Sequence, residues 1–214
     1  MTYRLPSNYR RNVRPVDFDD HAPVTGLCAG WEWQPDVYPF AAAVARRVEA
    51  TMIVDVGCGA ARKLLALADE FEAIIGLDRA PIVGQITDNR GTWVAADLEQ
   101  SGEVGFLAEV IEGAVIVCSD VIEHLVHPEV LVDDLASLCA ATASTLVLST
   151  PDRVRTRGSR HRGPSPNRGH VQEWTLEELS AWLVDVGFAL TEATWTRSND
   201  HEPHLATCLI EATA

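Results

Sequence analysis

The chain has 214 residues, of which 47% are hydrophobic and 22% are charged, a balance that is ordinary for a globular domain and excludes an intrinsically disordered chain. This length accommodates one domain with one large core, whereas two full-size domains would be cramped. The formal net charge of -14 argues against broad, nonspecific binding to nucleic acid.

Residues 1–35 show no sustained hydrophobic period and contain five aromatic side chains, so they predict an irregular N-terminal segment. After this segment, helical periods alternate with short apolar runs that are typical of buried strands. The predicted strands cover residues 52–56, 73–77, 92–96, 114–119 and 145–149, and the predicted helices cover residues 36–49, 62–71, 103–111 and 128–140.

Residues 152–169 are rich in Arg, Gly, Pro and Ser, fit no periodic structure, and form an insertion after the fifth strand. Thr175 then begins a predicted helix that continues to about Asp185. The last two predicted strands, 188–196 and 205–212, have no helix between them.

Strands that alternate with helices at this spacing predict an α/β domain over residues 36–214. Its Rossmann-like sheet is expected to be mostly parallel and covered by helices on both faces. Right-handed crossovers place the carboxyl ends of the parallel strands at one edge, where ligands bind. The closing strand pair predicts an antiparallel hairpin at the side of the sheet.

Three features of the sequence predict the cellular location of the protein. The N-terminus carries no apolar core of a signal peptide, and the apolar stretches are far shorter than the roughly 18 residues of a membrane span. The cysteines show neither a CxxC pair nor the spacing of a metal site. We therefore expect a cytoplasmic protein without a disulfide framework or a membrane partner. The cysteines are Cys28, Cys58, Cys118, Cys139 and Cys208.

Polar and small residues follow three consecutive predicted strands. Gly57 and Gly59 leave room for a ligand beside the backbone, at the amino end of a helix. Asp78, 19 residues after Gly59, is placed to accept hydrogen bonds from two ribose hydroxyls. Asp97 ends the third strand, where a carboxylate can accept a hydrogen bond from an adenine amino group. A helix cap is the alternative role for each aspartate.

This arrangement resembles the class I S-adenosylmethionine (SAM)-dependent methyltransferases over residues 36–212, with a first motif of Asp55-Val56-Gly57-Cys58-Gly59. The family usually has a third glycine where this chain has Ala61. The resemblance implies SAM as the cofactor, S-adenosylhomocysteine as the product, and a seven-stranded sheet with an antiparallel edge strand. The cofactor-binding residues that it implies are Asp55, Gly57, Cys58, Gly59, Asp78, Arg79, Asp97, Leu98, Ser119 and Asp120.

A nicotinamide-dependent dehydrogenase is the main rival for a glycine-rich turn followed by an acidic residue. Its fingerprint needs a glycine where this chain has Arg62, because a side chain there obstructs the packing of the helix on the strand. The sequence therefore disfavours a dehydrogenase.

The fourth strand ends in Asp120-Val121-Ile122-Glu123-His124, with Pro128 four residues later. This stretch resembles the Asp-x-x-Glu-His-x-x-x-Pro sequence of small-molecule methyltransferases, including the ubiquinone-biosynthesis and polyketide-tailoring groups. An imidazole titrates near neutrality, so His124 can take a proton from an acceptor hydroxyl. A structural turn is the alternative. The predicted catalytic residues are His124, Glu123 and His170, the last of which is expected to return to the same edge.

Asp120, Glu123, His124 and His170 also form a mixed carboxylate and imidazole set that can bind a divalent ion. Metal-dependent small-RNA 2'-O-methyltransferases have a similar Glu-x-x-Glu-His motif with a later His, although Asp120 stands where they have Glu. Similar histidines occur in metal-free relatives, so our primary prediction includes no metal.

Of the 17 basic residues, 16 are arginines, four of them within residues 1–14 and six within residues 153–168. Either these segments are solvated loops that balance an acidic body, or they form a basic rim beside a site for an anionic substrate. The insertion and the aromatic N-terminal segment can together form a lid that excludes water, and a structural clasp is the alternative. The aromatic residues are Tyr3, Tyr9, Phe18, Trp31 and Trp33.

The sequence thus predicts a SAM-dependent O-methyltransferase of a small polar or anionic metabolite, with a sugar or glycoconjugate among the candidate acceptors. One alternative is a metal-dependent methyltransferase of the terminal ribose of RNA, and another is a SAM-binding regulator without turnover. Whether the protein is a monomer or a homodimer is left open.

Overall fold

The computed structural model describes residues 5–12, 32–201 and 203–214. Cys28 and three of the five predicted lid aromatics, Tyr3, Phe18 and Trp31, lie outside these ranges. No helix within the described ranges is long and apolar enough to cross a membrane.

The described residues form seven strands in a single sheet. In chain order the strands are β1 (Met52–Val56), β2 (Ala73–Asp78), β3 (Thr92–Ala95), β4 (Val115–Ser119), β5 (Thr145–Pro151), β6 (Ala189–Arg197) and β7 (Leu205–Thr213). Their order across the sheet is β3-β2-β1-β4-β5-β7-β6. Strands β1 to β5 are parallel to one another, whereas β7 runs antiparallel to both β5 and β6. The predicted α/β class and the terminal hairpin are confirmed, with β6 rather than the reversed β7 at the outer edge.

Helices cover both faces of the sheet, as predicted. The α-helices are α1 (Val37–Val48), α2 (Arg62–Ala66), α3 (Ala80–Val83), α4 (Pro128–Thr142), α5 (Arg153–Arg157) and α6 (Leu176–Asp185). One core packs the apolar sides of α4 and α6 against the sheet through Leu131, Leu135, Leu179 and Trp182. The opposite face is covered by α1 and α2.

Several helices differ in detail from their prediction. The helix predicted over 62–71 ends at Ala66 and continues as a 3-10 turn, Ala68–Glu70. The helix predicted over 103–111 is a 3-10 segment, Gly105–Glu109, as suits a stretch flanked by glycines of low helix propensity. By contrast, the predicted start of α6 is confirmed, because Thr175 and Glu178 form a reciprocal capping box.

The prediction that residues 152–169 contain no regular structure is wrong at the start of the insertion. Asp152 caps α5 by accepting the backbone N–H groups of Val154 (2.8 Å) and Arg155 (3.0 Å). The other Asp152 oxygen accepts from the Leu176 backbone (3.1 Å) and the Trp195 indole (2.9 Å). This buried carboxylate therefore ties the insertion to α6 and β6.

A buried hydrogen bond joins α1 to the central strand. The Tyr38 hydroxyl donates to Asp55 Oδ2 over 2.6 Å, and Asp55 is completely inaccessible to solvent. Asp55 Oδ1 is buried as well and accepts no hydrogen bond among the described residues. Burial raises the pKa of Asp55 to about 7, although the Tyr38 hydroxyl and the charge of Lys63 oppose this rise.

Asp55→Asn should therefore change the pH dependence of stability. An aspartate in the unfolded chain has a pKa of about 3.9, so between about pH 4 and 7 the folded protein binds more protons and its free energy of unfolding falls as the pH rises. Asparagine does not titrate, so the variant should not show this fall in the free energy of unfolding, and its side-chain oxygen can still accept the Tyr38 hydroxyl. The free energy of unfolding of the variant minus that of wild type should therefore increase from pH 5 to pH 8, by up to about 4 kcal/mol.

Urea denaturation at the two pH values measures this difference. Asp69→Asn is the matched control, since the Asp69 side chain is 94% exposed and should give the same difference from wild type at both pH values. If Asp55→Asn also gave a pH-independent difference, the raised pKa of Asp55 would be refuted.

Candidate functional site

The turn between β1 and α2 is built from left-handed residues. Gly57, Gly59 and Ala61 have φ angles of 88°, 53° and 55°. The backbone N–H groups of Gly57 and Cys58 both donate to the carbonyl of Leu77 (2.8 and 2.9 Å), so the turn folds over the end of β2. Ala61, at the usual third glycine, thus adopts the conformation that glycine adopts most easily.

The room beside Gly57 is not empty. A Cβ atom there would lie 2.3 Å from Cγ2 of Val121, so the glycine permits close packing between the turn and the segment after β4. This finding corrects the expectation that Gly57 leaves space for a ligand on that side. The Cys58 thiol is buried beneath the turn, where burial strongly raises its pKa and keeps it neutral.

Asp78 meets the glycine-rich turn as predicted. Its Oδ2 accepts the backbone N–H of Gly59 (2.8 Å), and its Oδ1 accepts that of Arg79 (2.7 Å). Burial raises the pKa of Asp78, while these two N–H groups oppose the rise. Each oxygen keeps a further lone pair with which to accept a hydroxyl proton.

Asp97 occupies a different environment. Its exposed carboxylate accepts the backbone N–H of Glu99 (3.2 Å) and the side-chain amide of Gln100 (2.8 Å), so it caps the turn after β3. Leu98 is buried in the core, and Arg79 is exposed. The predicted adenine contact of Asp97 and Leu98 therefore stays a prediction.

A second group of polar residues gathers where β4 ends in a 3-10 turn, Ile122–His124. One ligand atom each from Glu123, His124 and His170 lies within 4.8 Å of the others. The two imidazole rings meet edge to face, with centroids 4.9 Å apart. The Val171 N–H donates to the Glu123 carbonyl (2.7 Å) and holds the late segment at this edge, as predicted for His170.

The carboxyl groups of Glu123 and Asp120 shift each other's pKa. Burial and the neighbouring Asp120 raise the pKa of Glu123 well above its ordinary value. Burial acts to raise the pKa of Asp120 too, but the hydrogen bond from Glu123 and the nearby His124 and His170 outweigh it and lower that pKa. We infer that Glu123 is neutral and donates a hydrogen bond to a charged Asp120. Glu123 Oε2 also accepts from the Thr150 hydroxyl (2.8 Å).

Both histidines have fixed tautomers. His124 Nδ1 lies 2.9 Å from the carbonyl of Gly169, which can only accept, so Nδ1 carries the proton and Nε2 of the neutral ring carries a lone pair. Burial lowers the pKa of His124, partly opposed by Asp120. His170 Nδ1 faces Glu173 Oε1 (2.8 Å), and its Nε2 accepts from the Asn167 amide (2.8 Å).

Glu173 is a functional candidate that the sequence analysis did not select. Its buried Oε1 accepts hydrogen bonds from His170 Nδ1 (2.8 Å), the Ser165 hydroxyl (2.7 Å) and the Arg157 guanidinium (3.2 Å). Burial would raise the pKa of Glu173, but these donors outweigh it and lower the pKa to about 2. The spacing of three residues between His170 and Glu173 was the available signal.

Residues 5–12 pack on this cluster as well. The Asn12 side-chain amide donates to the carbonyls of His170 (2.7 Å) and Ser165 (3.1 Å). The Tyr9 hydroxyl accepts the Glu173 N–H (2.9 Å), and the Arg11 guanidinium donates to the Val126 carbonyl. The start of the N-terminal segment is therefore part of the site, whereas a lid formed by residues 13–31 would lie outside the described residues.

The arginines of the insertion divide into two groups. Arg153 pairs with Glu178 (2.6 Å), Arg157 pairs with Glu173, and Arg155 lies 3.9 Å from the ring centroid of Trp195, so these three hold the fold together. The other three make no ion pair with a carboxylate of the described residues and remain candidates for a basic rim. They are Arg160, Arg162 and Arg168.

Comparison with known proteins indicates a methyltransferase. The sequence profile of a family described as a methyltransferase domain matches residues 34–193. A search of curated protein sequences finds no significant match.

Solved methyltransferase structures share the fold. Magnesium protoporphyrin IX methyltransferase from Synechocystis PCC 6803, with bound SAH, is 17% identical over 83% of this chain and 82% of that one, with a TM-score of 0.58. The small RNA methyltransferase HEN1 is 21% identical over 82% of this chain and 24% of its own, with a TM-score of 0.56. The O-methyltransferase NcsB1 from neocarzinostatin biosynthesis, in complex with SAM and 2-hydroxy-5-methyl naphthoic acid, is 16% identical over 83% of this chain and 56% of its own, with a TM-score of 0.56.

The family match covers most of the domain, and the strand order agrees with the fold that the glycine-rich turn indicated. The chain therefore belongs to the class I SAM-dependent methyltransferases, with SAM as its cofactor.

Proposed function

We propose that this methyltransferase transfers the methyl group of SAM to a hydroxyl of a small polar or anionic metabolite, a class that includes sugars and glycoconjugates. The observation that carries the proposal is the orientation of His124. Its Nδ1 is bound to the Gly169 carbonyl, so the neutral ring carries its basic lone pair on Nε2. A base at this edge is needed for hydroxyl acceptors, which are poor nucleophiles while protonated.

The residues at this edge of the sheet would have separate roles in the reaction. The turn at Gly57–Gly59 and the Asp78 carboxylate would hold the cofactor, which supplies a methyl group already activated on its sulfonium. His124 Nε2 would accept the hydroxyl proton as the acceptor oxygen attacks that methyl group, and the charged Asp120 would stabilise the resulting imidazolium. The Nδ1 bond to Gly169 keeps the ring oriented throughout. Positioning and exclusion of water supply most of the remaining rate.

Asp78→Asn tests the cofactor half of the proposal. Losing the charge and one acceptor should weaken SAH binding by about 1.5–3 kcal/mol, or roughly 10- to 150-fold in Kd, because hydrogen bonds to charged groups contribute about that much. Calorimetric titration with SAH measures the change. Asp88→Asn is the control, since Asp88 binds Arg90 at the surface and should leave the Kd unchanged. An unchanged Kd for Asp78→Asn would remove Asp78 from the cofactor site.

His124→Asn tests the base. Asparagine keeps a donor near the Gly169 carbonyl but offers no imidazole, so turnover should fall about 10²- to 10⁴-fold while SAH affinity stays within a factor of three. SAH formation from SAM with a panel of hydroxyl metabolites measures turnover. His127→Asn, at an exposed histidine three residues away, is the control. Undiminished turnover of His124→Asn across pH 6 to 9 would reject this base, and SAH binding without turnover in wild type would favour the regulator alternative.

A second function is favoured by the Glu123, His124 and His170 cluster, namely metal-dependent methylation of the terminal ribose of RNA. The residues fit a divalent cation. Glu123 Oε1 is buried and accepts no hydrogen bond among the described residues, and it could bind a cation that displaced the proton of this carboxyl group. The neutral His124 ring carries a lone pair on Nε2, and His170 Nε2 would become a ligand on releasing the Asn167 amide. Glu173 on His170 Nδ1 is the kind of carboxylate partner that metal-binding histidines have. A bound cation would polarise the acceptor hydroxyl as a Lewis acid.

Chelation separates the two functions. If the primary proposal holds, enzyme dialysed against EDTA should keep its full rate with a metabolite acceptor, since His124 then needs no cation. Loss of activity that Mn²⁺ restores, together with turnover of an RNA with a free terminal 2'-hydroxyl, would instead establish the second function. The same RNA with a 2'-deoxy end is the control acceptor.

A further inference from the structure

The backbone is left-handed at an unexpected pair of residues. Among the described residues, five other than glycine have positive φ angles, and three of them have ordinary explanations. Glu49 and Ala143 end α1 and α4 as left-handed caps, and Ala61 lies in the glycine-rich turn. The other two are Gln34 (φ 49°) and Asp120 (φ 60°), and their side chains are hydrogen-bonded to each other.

Strain at Gln34 is imposed by its surroundings. The left-handed region costs a non-glycine residue about 1–2 kcal/mol, and a following proline restricts Gln34 further. Its backbone N–H donates to the Ser198 carbonyl (2.8 Å). The preceding carbonyl, of Trp33, accepts from the Lys63 ammonium. The segment is thus fixed on two sides, and strain of this kind is concentrated at functional sites.

The Gln34 amide is buried, and both of its ends are used. Nε2 donates to Asp120 Oδ1 over 2.7 Å, while Oε1 accepts from the hydroxyls of Ser119 (3.0 Å) and Ser149 (2.5 Å). A carboxylate only accepts hydrogen bonds, so the amide has a single possible orientation. An apolar side chain would fill the same volume, but it would leave all three groups without this partner.

The groups that Gln34 holds lie where the two halves of the site meet. Ser119 is the last residue of β4, and Asp120 follows it directly, ahead of Glu123 and His124. The Asp120 N–H is fixed separately by the Ser149 carbonyl (3.1 Å). Gln34 therefore controls the direction of the carboxylate rather than the path of the chain.

We propose that Gln34 is a positioning residue that holds the Asp120 carboxylate, four residues before His124, in a fixed orientation for the methyl-transfer step. The inference rests on the proposed function of His124. It assigns Gln34 no contact with the reacting atoms, and it predicts that loss of the amide lowers kcat by a larger factor than it raises the Kd for SAH, to which Ser119 and Asp120 are expected to contribute.

Gln34→Met replaces the amide by an apolar side chain of similar length. We expect kcat to fall about 10- to 100-fold, the order of loss caused by a misplaced catalytic group, while the Kd for SAH stays within a factor of three. Gln85→Met is the matched control, because the exposed Gln85 amide donates to the Pro81 carbonyl (2.7 Å) and to no other acceptor of the described residues, so its loss should affect neither quantity. A purely structural role for Gln34 would weaken SAH binding and thermal stability together with kcat, and that result would overturn the proposal.

A double-mutant cycle shows whether Gln34 acts through Asp120. Gln34→Met should lower kcat no further in an Asp120→Asn background, whereas independent effects would multiply and contradict the proposal. If Gln34→Met does not fold, Gln34→Leu serves instead, since it also removes the donor to Asp120 and introduces no second carboxyl group beside it.

Imidazole resonances give a readout that does not require turnover. The ¹H–¹⁵N spectrum of Gln34→Met should show a displaced His124 ring signal and unchanged signals from the exposed His201. Unchanged His124 signals would reject the role of Gln34, whether or not wild type methylates a hydroxyl. A wild-type protein that methylated no hydroxyl would, by itself, reject only the proposed function. If wild type methylates a hydroxyl and Gln34→Met has the same kcat, the role of Gln34 is rejected, whereas the role of His124 as the base is not affected.

Discussion

The hydrogen bond from the Gly59 backbone to the Asp78 carboxylate, 2.8 Å long, is the contact on which the proposed cofactor site depends. It joins two loops that follow neighbouring parallel strands, so it can form only because right-handed crossovers bring their carboxyl ends to one edge. It also keeps a partly buried carboxylate hydrogen-bonded, without which burial would be costly. The turn and the acid therefore support each other before any ligand is present.

The proposed acceptor site is assembled differently, from segments that are distant in the sequence. The short turn at Glu123–His124 contacts residues 169–173, and residues 5–12 pack against the same stretch. Two buried acid groups determine its electrostatics. Glu123 keeps a proton beside Asp120, whereas Glu173 is ionised by the donors around it. The tautomers are fixed separately, since His124 Nδ1 is bound to the Gly169 carbonyl and His170 Nδ1 to the charged Glu173.

The elements that carry strong periodicity were predictable from the sequence. Strand β1 was predicted with its observed bounds, and the terminal hairpin followed from the absence of an intervening helix. Short elements were less accessible, since a single turn such as α3 has no period to detect. The cap of α5 at Asp152 was visible in principle but was hidden by the Arg- and Gly-rich composition that follows it.

The site was predicted as far as each motif lay next to a strand end. Asp78, Glu123 and His124 reach the expected edge because the topology determines where strand ends go, and the hydrogen bond from Val171 to the Glu123 carbonyl holds His170 there. Gln34 and Asn12 could not be found in this way, because their contacts cross 86 and 158 residues of chain and depend on the path of the N-terminal segment. Asp97 is the opposite case. Its position at the end of a strand was compatible with a ligand contact and also with a turn cap, and the structure shows the turn cap.

The proposed mechanism requires that one edge of the sheet holds both the cofactor and the groups that act on the acceptor. Hydrogen–deuterium exchange with and without SAH tests this requirement. SAH should slow exchange at the backbone amides of residues 57–63, at 78–79 and at 119–124 in the same titration. Protection confined to other parts of the chain, or of the first two stretches without the third, would contradict a shared edge.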